Sequence, residues 1–450
     1  MSDRERADAV YEALLARAGE RWVQPRKERT ARILAFLDDP QRTYRVVHIT
    51  GTNGKTSTAR MIESLLRSHD LRTGLFTSPH LERFTERIMI DGEPISDAAV
   101  ADAWEEIVPF ATIVDAELQA AGEEPLTFFE LLTVLAFVAA ADAPIDVLVL
   151  EVGMGGEWDS TNTADGDVAV FTPIDIDHAD RLGDTITAIA TVKAGIIKEG
   201  AAVVSAQQPA EAETVLRRVA AERNASIAFE GEEFGLTDQR LAVGGQQFSI
   251  RGLAGQYGDE YLPMYGAHQG HNAALAVAAV ESLIGGGSQA IAGDILAEGL
   301  QNASSPGRLQ LVGVAPTVVV DAAHNPHGAA ALAQALGDSF DFDEWGVVLG
   351  VLSDKDAAGI VAHLAPVSAH VFATAPDSER ASDVDSLADL VEGSGHRVSV
   401  HPTLSDAADA AREWAASSDR RAVVIAGSVV LAGEAIALAE AEDWKSGWQA

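Results

Sequence analysis

The sequence predicts an α/β protein of two units. Residues 1–303 form a first unit that carries a small antiparallel patch, and residues 304–450 form a second α/β unit. Three observations predict this. Short apolar runs alternate with segments of helical periodicity, the pattern of a largely parallel sheet. A Gly-rich turn with a Lys follows directly on one such run, in VVHITGTNGKTS at 46–57. The polar stretch QNASSPGR at 301–308 contains Pro-Gly and separates two blocks of the alternating pattern.

Taken in order, residues 1–44 read as two short helices broken at 21–26 (RWVQPR). VVHI at 46–49 reads as a buried parallel strand, and Ala59, Met61, Ile62, Leu65 and Leu66 recur at helical spacing after the turn. TGLFT at 73–77 is a second strand, ending in Ser78-Pro79-His80-Leu81, and 86–92 is a hairpin arm. Helices follow at 97–121 and 127–141, strands at 146–152 (DVLVLEV) and 167–173 (DVAVFTP), a helix at 185–194 and a strand at 201–205. Between 225 and 250 the pattern shifts to short alternating strands with Gly turns, a small antiparallel patch. An apolar helix at 268–283 and another at 291–300 complete the first unit. In the second, strands at 317–321, 346–351, 370–374, 397–401 and 422–426 alternate with helical segments.

Composition narrows the function classes. The apolar content of 47% is enough for large cores. No apolar run approaches the roughly 20 residues of a membrane span, and the charged N-terminal stretch lacks a signal peptide's apolar segment. A cytoplasmic location is therefore expected. There is no Cys, which excludes disulfides, thiolate metal sites and Cys nucleophiles. The net charge of −36 is spread over both units: 8 basic and 21 acidic residues from Ser304 onward, 24 and 47 before it. Such a surface repels nucleic acid and anionic membrane. It resembles that of cytoplasmic proteins from salt-loving organisms. The only lysines are Lys27, Lys55, Lys193, Lys198, Lys355 and Lys445, so each is informative.

The turn after 46–49 is a phosphate cradle. The glycines of Gly51-Thr52-Asn53-Gly54-Lys55-Thr56-Ser57 let backbone N–H groups close around phosphate oxygens, and the following helix dipole favours negative charge. Lys55 can reach terminal phosphates and a hydroxyl can hold magnesium. The spacing departs from G-x-x-x-x-G-K-[ST], because Ile49 stands where the first Gly would be. Parallel sheets place ligands at the carboxyl ends of their strands. There stand Glu151, followed by Gly153, Gly155 and Gly156, and Asp175, Asp177 and His178. A strand-end Glu facing a phosphate loop suits magnesium; by itself it is an ordinary strand-end carboxylate, and His178 an ordinary loop histidine. Lys193 lies among apolar residues, either buried for a purpose or snorkelling. In the second unit Asp321-Ala322-Ala323-His324-Asn325-Pro326 ends a strand. Its Asp can bond ribose hydroxyls and its His a base, or the segment is a turn capping the next helix.

Together these segments resemble the folylpolyglutamate synthase/dihydrofolate synthase family of the Mur ligase superfamily. The motifs carrying the resemblance are HITGTNGKTS, LFTSPHLERFTERIMIDG, TFFELLT, LEVGMGG with DSTN, IDHADRLGDT, KAGIIK, HQGHNAALA, PGRLQ, DAAHNPHG and GSVVLAGE, in the family's order from about Arg45 to Glu434. The resemblance implies a P-loop ATPase domain of Mur ligase type and a C-terminal Rossmann-like domain. It implies an ADP-forming ligase that phosphorylates the carboxylate of a pteroate or folate and lets the amine of L-glutamate attack the acyl phosphate. It implies ATP and two magnesium ions as cofactors, with K⁺ as a further candidate, and a monomer. One magnesium would be held by Ser57 (or Thr56), Ser78 and Glu151. The other would be held by His178 and a carbamylated Lys193. Lys55, His178 and Lys193 would be catalytic. Asn272, Arg308, Asp321 and His324 match nucleotide-binding positions. Ser78, Pro79, His80, Phe84, Phe128 and Asp159 fall on the substrate side. The chain departs from the family at Gly155-Gly156-Glu157-Trp158-Asp159, where GGRLD is usual, and at Val192, where Glu usually precedes the carbamylated Lys.

Two other readings compete. A Mur-type ligase acting on a nucleotide-linked peptide would carry a third, N-terminal domain, for which about 45 residues are too few. A P-loop switch or transporter-type ATPase would not need HNAALA, PGR and DAAHNP.

Overall fold

The computed structural model describes residues 1–19, 26–177 and 179–445. Most of the expected break at 21–26, and His178, lie outside them. The first sheet contains β1 (Arg45–Thr50), β2 (Thr73–Phe76), β3 (Ile88–Ile90), β4 (Glu93–Pro94), β5 (Val147–Glu151), β6 (Val168–Phe171), β7 (Ala202–Ser205) and β8 (Ser226–Phe229). Their order is β4-β3-β2-β5-β1-β6-β7-β8, parallel from β2 to β8, with β3 and β4 antiparallel at one edge. The central strands read as continuous apolar runs because helices cover both faces. On one face the helices Lys55–Ser68 and Ala267–Gly285 pack on Val47, Ile49, Val149 and Val170. On the other, the helices Asp97–Ala120 and Phe128–Asp142 pack on Val46, Leu148 and Leu150. The alternation of β1 thus feeds two cores. Leu275, fully buried in the first of them, would cost roughly 2–5 kcal/mol as Ala.

The antiparallel patch is β9 (Gly235–Ala242), β10 (Gly245–Arg251) and β11 (Gln256–Leu262). It differs from the sequence expectation at both ends. Ser226–Phe229 pairs parallel with β7 as the edge of the large sheet, and the patch extends to Leu262. Phe248, Ile250 and Leu262 tie it to the same core as the helix Ala267–Gly285.

The second unit contains β12 (Gln310–Val314), β13 (Thr317–Val320), β14 (Glu344–Leu349), β15 (Ser368–Ala373), β16 (Val398–Val400) and β17 (Arg421–Ala426), in the order β12-β13-β17-β14-β15-β16. All neighbours are parallel except β12, an antiparallel edge strand that the apolar pattern did not announce. Its two faces are covered by separate cores. The second unit docks against the loop after β2: Leu81 packs into its core, and a Cβ added to Gly433 would stand 2.0 Å from the Leu81 carbonyl oxygen.

Strand order explains where chemistry gathers. β5 lies between β2 and β1, so the Ser78 loop, Glu151 and the phosphate loop emerge side by side at the carboxyl ends. To reach β6 from β5 the chain must pass over β1, and residues 152–167 form that crossover.

Candidate active site

Gly54, at φ 86°, caps the helix Lys55–Ser68 without any side-chain hydrogen bond, which leaves the first-turn N–H groups free for an anion. A Cβ at Gly54 would sit 2.8 Å from Asn272 Oδ1, so Asn272 closes on the loop only because a glycine is there. Lys55 Nζ folds back to donate to the carbonyls of Gly51 (3.2 Å) and Thr52 (3.0 Å). Lys193 Nζ donates to the same Gly51 carbonyl at 2.8 Å. Lys193 is buried, and burial first, then the charge of Lys55, pulls its ammonium down to about 7 against the opposing pull of Asp177 and Asp159.

Thr56 Oγ1 donates to Glu151, 3.0 Å from both carboxylate oxygens, and Ser78 N–H reaches Oε2 at 3.4 Å. Of the two candidate hydroxyls, it is Thr56 that faces Glu151. Ser57 turns away, to Ser305 Oγ at 3.0 Å and Gln269 Nε2 at 3.4 Å. Glu151 is 1% exposed, and burial raises its carboxyl despite Lys55 and the Thr56 hydroxyl. A hydroxyl and a buried carboxylate beside a phosphate cradle form an oxygen-only donor set, which fits a hard divalent cation such as magnesium.

These groups open into one cleft of about 1460 Å³ that runs from the first unit to the second. At one end stand Ser78, Pro79, His80, Arg87, Thr127, Phe129, Met154, Trp158 and Asp159. Phe84 and Phe128 are not on its wall. They are buried in the core, Phe84 stacked on Tyr11 at 4.9 Å and Phe128 under the Arg87 guanidinium at 5.3 Å. His80 Nδ1 accepts from Arg87 Nε at 2.7 Å, and burial, then the Arg87 charge, holds its imidazole down at about 3. Asp159 accepts from Met154 N–H (2.9 Å), Thr161 N–H (3.0 Å) and Thr161 Oγ1 (2.6 Å). Its carboxylate, raised by burial, thereby shapes the crossover loop. Sequence reasoning missed Phe129 and Trp158, and also Arg26 and Glu130, which line the same end with Arg26 Nε 3.5 Å from Glu130 Oε1.

At the other end stand Asn272, Arg308, Asp321 and His324. Asn272 Nδ2 donates to Gln269 Oε1 at 3.0 Å, and Arg308 Nη1 to the Gly307 carbonyl at 3.1 Å. Asp321 accepts from Leu309 N–H and Ala323 N–H, both at 2.8 Å, and burial raises it. His324 Nδ1 lies 3.0 Å from the Ala322 carbonyl, and burial lowers its imidazole to about 4. Glu230 and His271, hydrogen-bonded to one another on this wall, were not singled out from the sequence, although His271 lies within HQGHNAALA. The two units meet polar group to polar group: Asn53 of the phosphate loop bonds His327 (2.7 Å) and Asn325 (3.4 Å). Lys193 lines a small adjoining cavity with Gly51, Lys55, Gly153 and Asp177.

Comparison with known proteins identifies the two domains and the family. Residues 49–280 match the Mur ligase middle domain, and residues 307–429 the Mur ligase glutamate ligase domain. The chain is 45% identical over 445 residues to the dihydrofolate synthase/folylpolyglutamate synthase of Mycobacterium tuberculosis, covering 92% of this chain and 91% of that one. The structure of the Mycobacterium tuberculosis folylpolyglutamate synthase complexed with ADP superposes with a TM-score of 0.92 at 44% identity, covering 97% and 99%. That of E. coli FolC in complex with DHPP and ADP superposes with a TM-score of 0.84 at 28% identity, covering 97% and 98%. A phosphate loop, a strand-end carboxylate and a cleft shared by two Mur ligase domains therefore come with close relatives of one kind, and the chain belongs to the folylpolyglutamate synthase/dihydrofolate synthase family, a family of ADP-forming ligases.

Proposed function

We propose that the chain joins L-glutamate to the carboxylate of dihydropteroate, of reduced folates, or of both, with ATP as phosphoryl donor. The observation that carries the reading is the Thr56 hydroxyl on both oxygens of Glu151, beside a phosphate cradle and inside a cleft reaching the second unit. The acceptor carboxylate attacks the γ-phosphorus as the bond to the β,γ-bridging oxygen breaks and ADP leaves. The glutamate amine then attacks the acyl carbon, expels phosphate and gives its proton to solvent. Both partners of the first step are anions, so charge must be neutralised and geometry held. The 51–57 loop with Lys55 does this for the phosphates. Thr56, Ser78 and Glu151 would hold magnesium, whose positive charge would help neutralise the phosphates. Asn272, Arg308, Asp321 and His324 form the nucleotide side, and His80, Phe129, Trp158 and Asp159 the acceptor side. The cleft between the units keeps water from the acyl phosphate.

Lys193 is read as a carbamate. A buried amine pulled down to about 7 has a large neutral fraction, and its nitrogen can attack carbon dioxide, losing a proton. The product would offer oxygens and a negative charge to a second magnesium. His178, its expected co-ligand, lies outside the described residues. The substrates are small molecules; no nucleic acid partner is expected at a net charge of −36. We read the chain as a cytoplasmic monomer; among the described residues no helix is long and apolar enough to cross a membrane.

The test is ADP release at molar salt with glutamate, comparing dihydropteroate with tetrahydrofolate as acceptor. Release strictly dependent on glutamate and a pteridine acceptor is expected. Release independent of both would favour a P-loop ATPase switch and sink the proposal. Replacing K⁺ by Na⁺ in the same assay tests the potassium requirement.

A further inference from the structure

We propose that Gln269 is a positioning residue for nucleotide binding: its amide holds Asn272 against the phosphate loop and, through Ser57, ties it to the junction of the two units. The inference rests on the ligase reading above, with Asn272 on its nucleotide side. Gln269 and Asn272 stand three residues apart in the helix Ala267–Gly285 and so share a face. Asn272 Nδ2 donates to Gln269 Oε1 at 3.0 Å. Asn272 Oδ1 is the atom that a Cβ on Gly54 would approach to 2.8 Å, so the other end of this amide lies on the phosphate loop. Gln269 Nε2 reaches Ser57 Oγ at 3.4 Å, in the first turn of the helix Lys55–Ser68. One amide thus bridges the Asn272 helix and the helix that the phosphate loop begins.

The relay continues past the phosphate loop. Ser57 Oγ lies 3.0 Å from Ser305 Oγ. Ser305 stands between the helix Gly293–Gln301 of the first unit and β12 of the second. Its carbonyl accepts from Arg308 N–H at 3.2 Å, which closes the turn that carries Arg308 to the cleft wall. Asn272, Gln269, Ser57 and Ser305 are all buried. The two helices also share an apolar core that includes Ile62 and Val277, so they need no polar contact to stay together. A buried polar chain costs desolvation, and what it adds when its members are satisfied is one fixed orientation of each. Here the groups it orients are Asn272 and the Arg308 turn, both on the nucleotide wall of the cleft.

The experiment measures ADP binding by calorimetry, with magnesium chloride in molar potassium chloride, on the full chain: wild type, Gln269→Leu, Asn272→Ala, the double variant and Ser57→Ala. Leu suits a helix as well as Gln does but neither donates nor accepts. Gln269→Leu should weaken ADP about tenfold, the scale of one lost hydrogen bond. In the Asn272→Ala background the same change should weaken it by no more than about threefold, because the side chain it chiefly acts through is gone. Ser57→Ala alone should give about that smaller loss. Melting of the ligand-free proteins is followed alongside: a purely structural role would lower the melting temperature and leave ADP affinity in place. If Gln269→Leu does not fold, Gln269→Met keeps the length of the side chain and enters the same cycle. An ADP affinity of the Gln269 variant within about twofold of wild type, a wild-type affinity for Ser57→Ala, or an equal loss in both backgrounds (the mark of a direct contact between Gln269 and the nucleotide) would each overturn the proposal. A wild type that releases no ADP from ATP with any pteridine acceptor would overturn the ligase reading itself, a result distinct from an active wild type whose ADP affinity ignores Gln269.

Discussion

His48 makes the protein acid-sensitive in a way one substitution can isolate. It lies fully buried in β1 beneath the crossover loop, its Nε2 2.9 Å from Thr161 Oγ1. Thr161 spends its only hydroxyl proton on Asp159, so Nε2 must be the donor, and the lone pair of Nδ1 is buried without a partner. Burial first, then the charge of Lys198, holds the imidazole down at about 3, from 6.5. The unfolded chain takes up this proton near pH 6.5 and the folded chain does not until about 3. Stability from this group is therefore complete above pH 6.5 and is lost as pH falls towards 3. At about 1.4 kcal/mol per pH unit, the ceiling is roughly 5 kcal/mol. His48→Gln keeps an N–H for Thr161 and removes the titration. Urea unfolding of both proteins in molar potassium chloride, from pH 7 to 4.5, gives the difference; the other buried histidines are common to both and cancel. Wild type should lose roughly 2.5 kcal/mol relative to His48→Gln over that range. His48→Leu should show the same slope but lie about 1 kcal/mol below His48→Gln throughout, for the lost hydrogen bond. Parallel curves for wild type and His48→Gln would refute the argument.

Further outcomes follow from the same structure. Glu151→Gln should abolish ligation while circular dichroism and melting stay near wild type, since on the proposed function it removes an anionic magnesium ligand and keeps the shape; near-normal turnover at saturating magnesium would remove Glu151 from that role. Lys193→Ala should lose most activity and regain part of it with a short carboxylic acid such as acetate, whereas Lys193→Arg should stay inactive because guanidinium keeps its charge; a fully active Lys193→Arg would dismiss the carbamate. Because −36 charges repel one another in dilute buffer and are screened at molar salt, where the Debye length is about 3 Å, the melting temperature should climb with potassium chloride, and a flat or falling curve would count against self-repulsion as the cause.

Much of the fold was legible because its signals are local. Each central strand is an apolar run, and the phosphate loop joins a strand to a helix in a dozen residues. What was not legible depends on neighbours or on rotation. Ser226–Phe229 has the composition of a hairpin arm, and only the exposed flank of β7 decides that it pairs parallel. β12 is a short edge strand whose partner lies across a tight turn. At the site, successive residues of a helix point about 100° apart. That rotation sends Thr56 to Glu151 and Ser57 to Ser305, and it puts Phe129 on the cleft wall while Phe128 joins the core. The motif names the segment; the phase of the helix chooses the side chain. Trp158 and Glu130 reach the cleft through tertiary packing that no spacing encodes.

The close approach of Gly433 to the Leu81 carbonyl sets how the enzyme can move. Leu81 lies three residues after Ser78, on the loop that also reaches Glu151, and it is packed into the second unit. The second unit is thus fastened to the Ser78 loop at one point and to the phosphate loop, through Asn53 and His327, at another. A rigid swing of the second unit about either contact would displace the other, so the Ser78 loop and the phosphate loop share one position of the second unit. On the function proposed above, an open molecule would lack an assembled centre in which to cleave ATP, and this linkage would hold back idle hydrolysis.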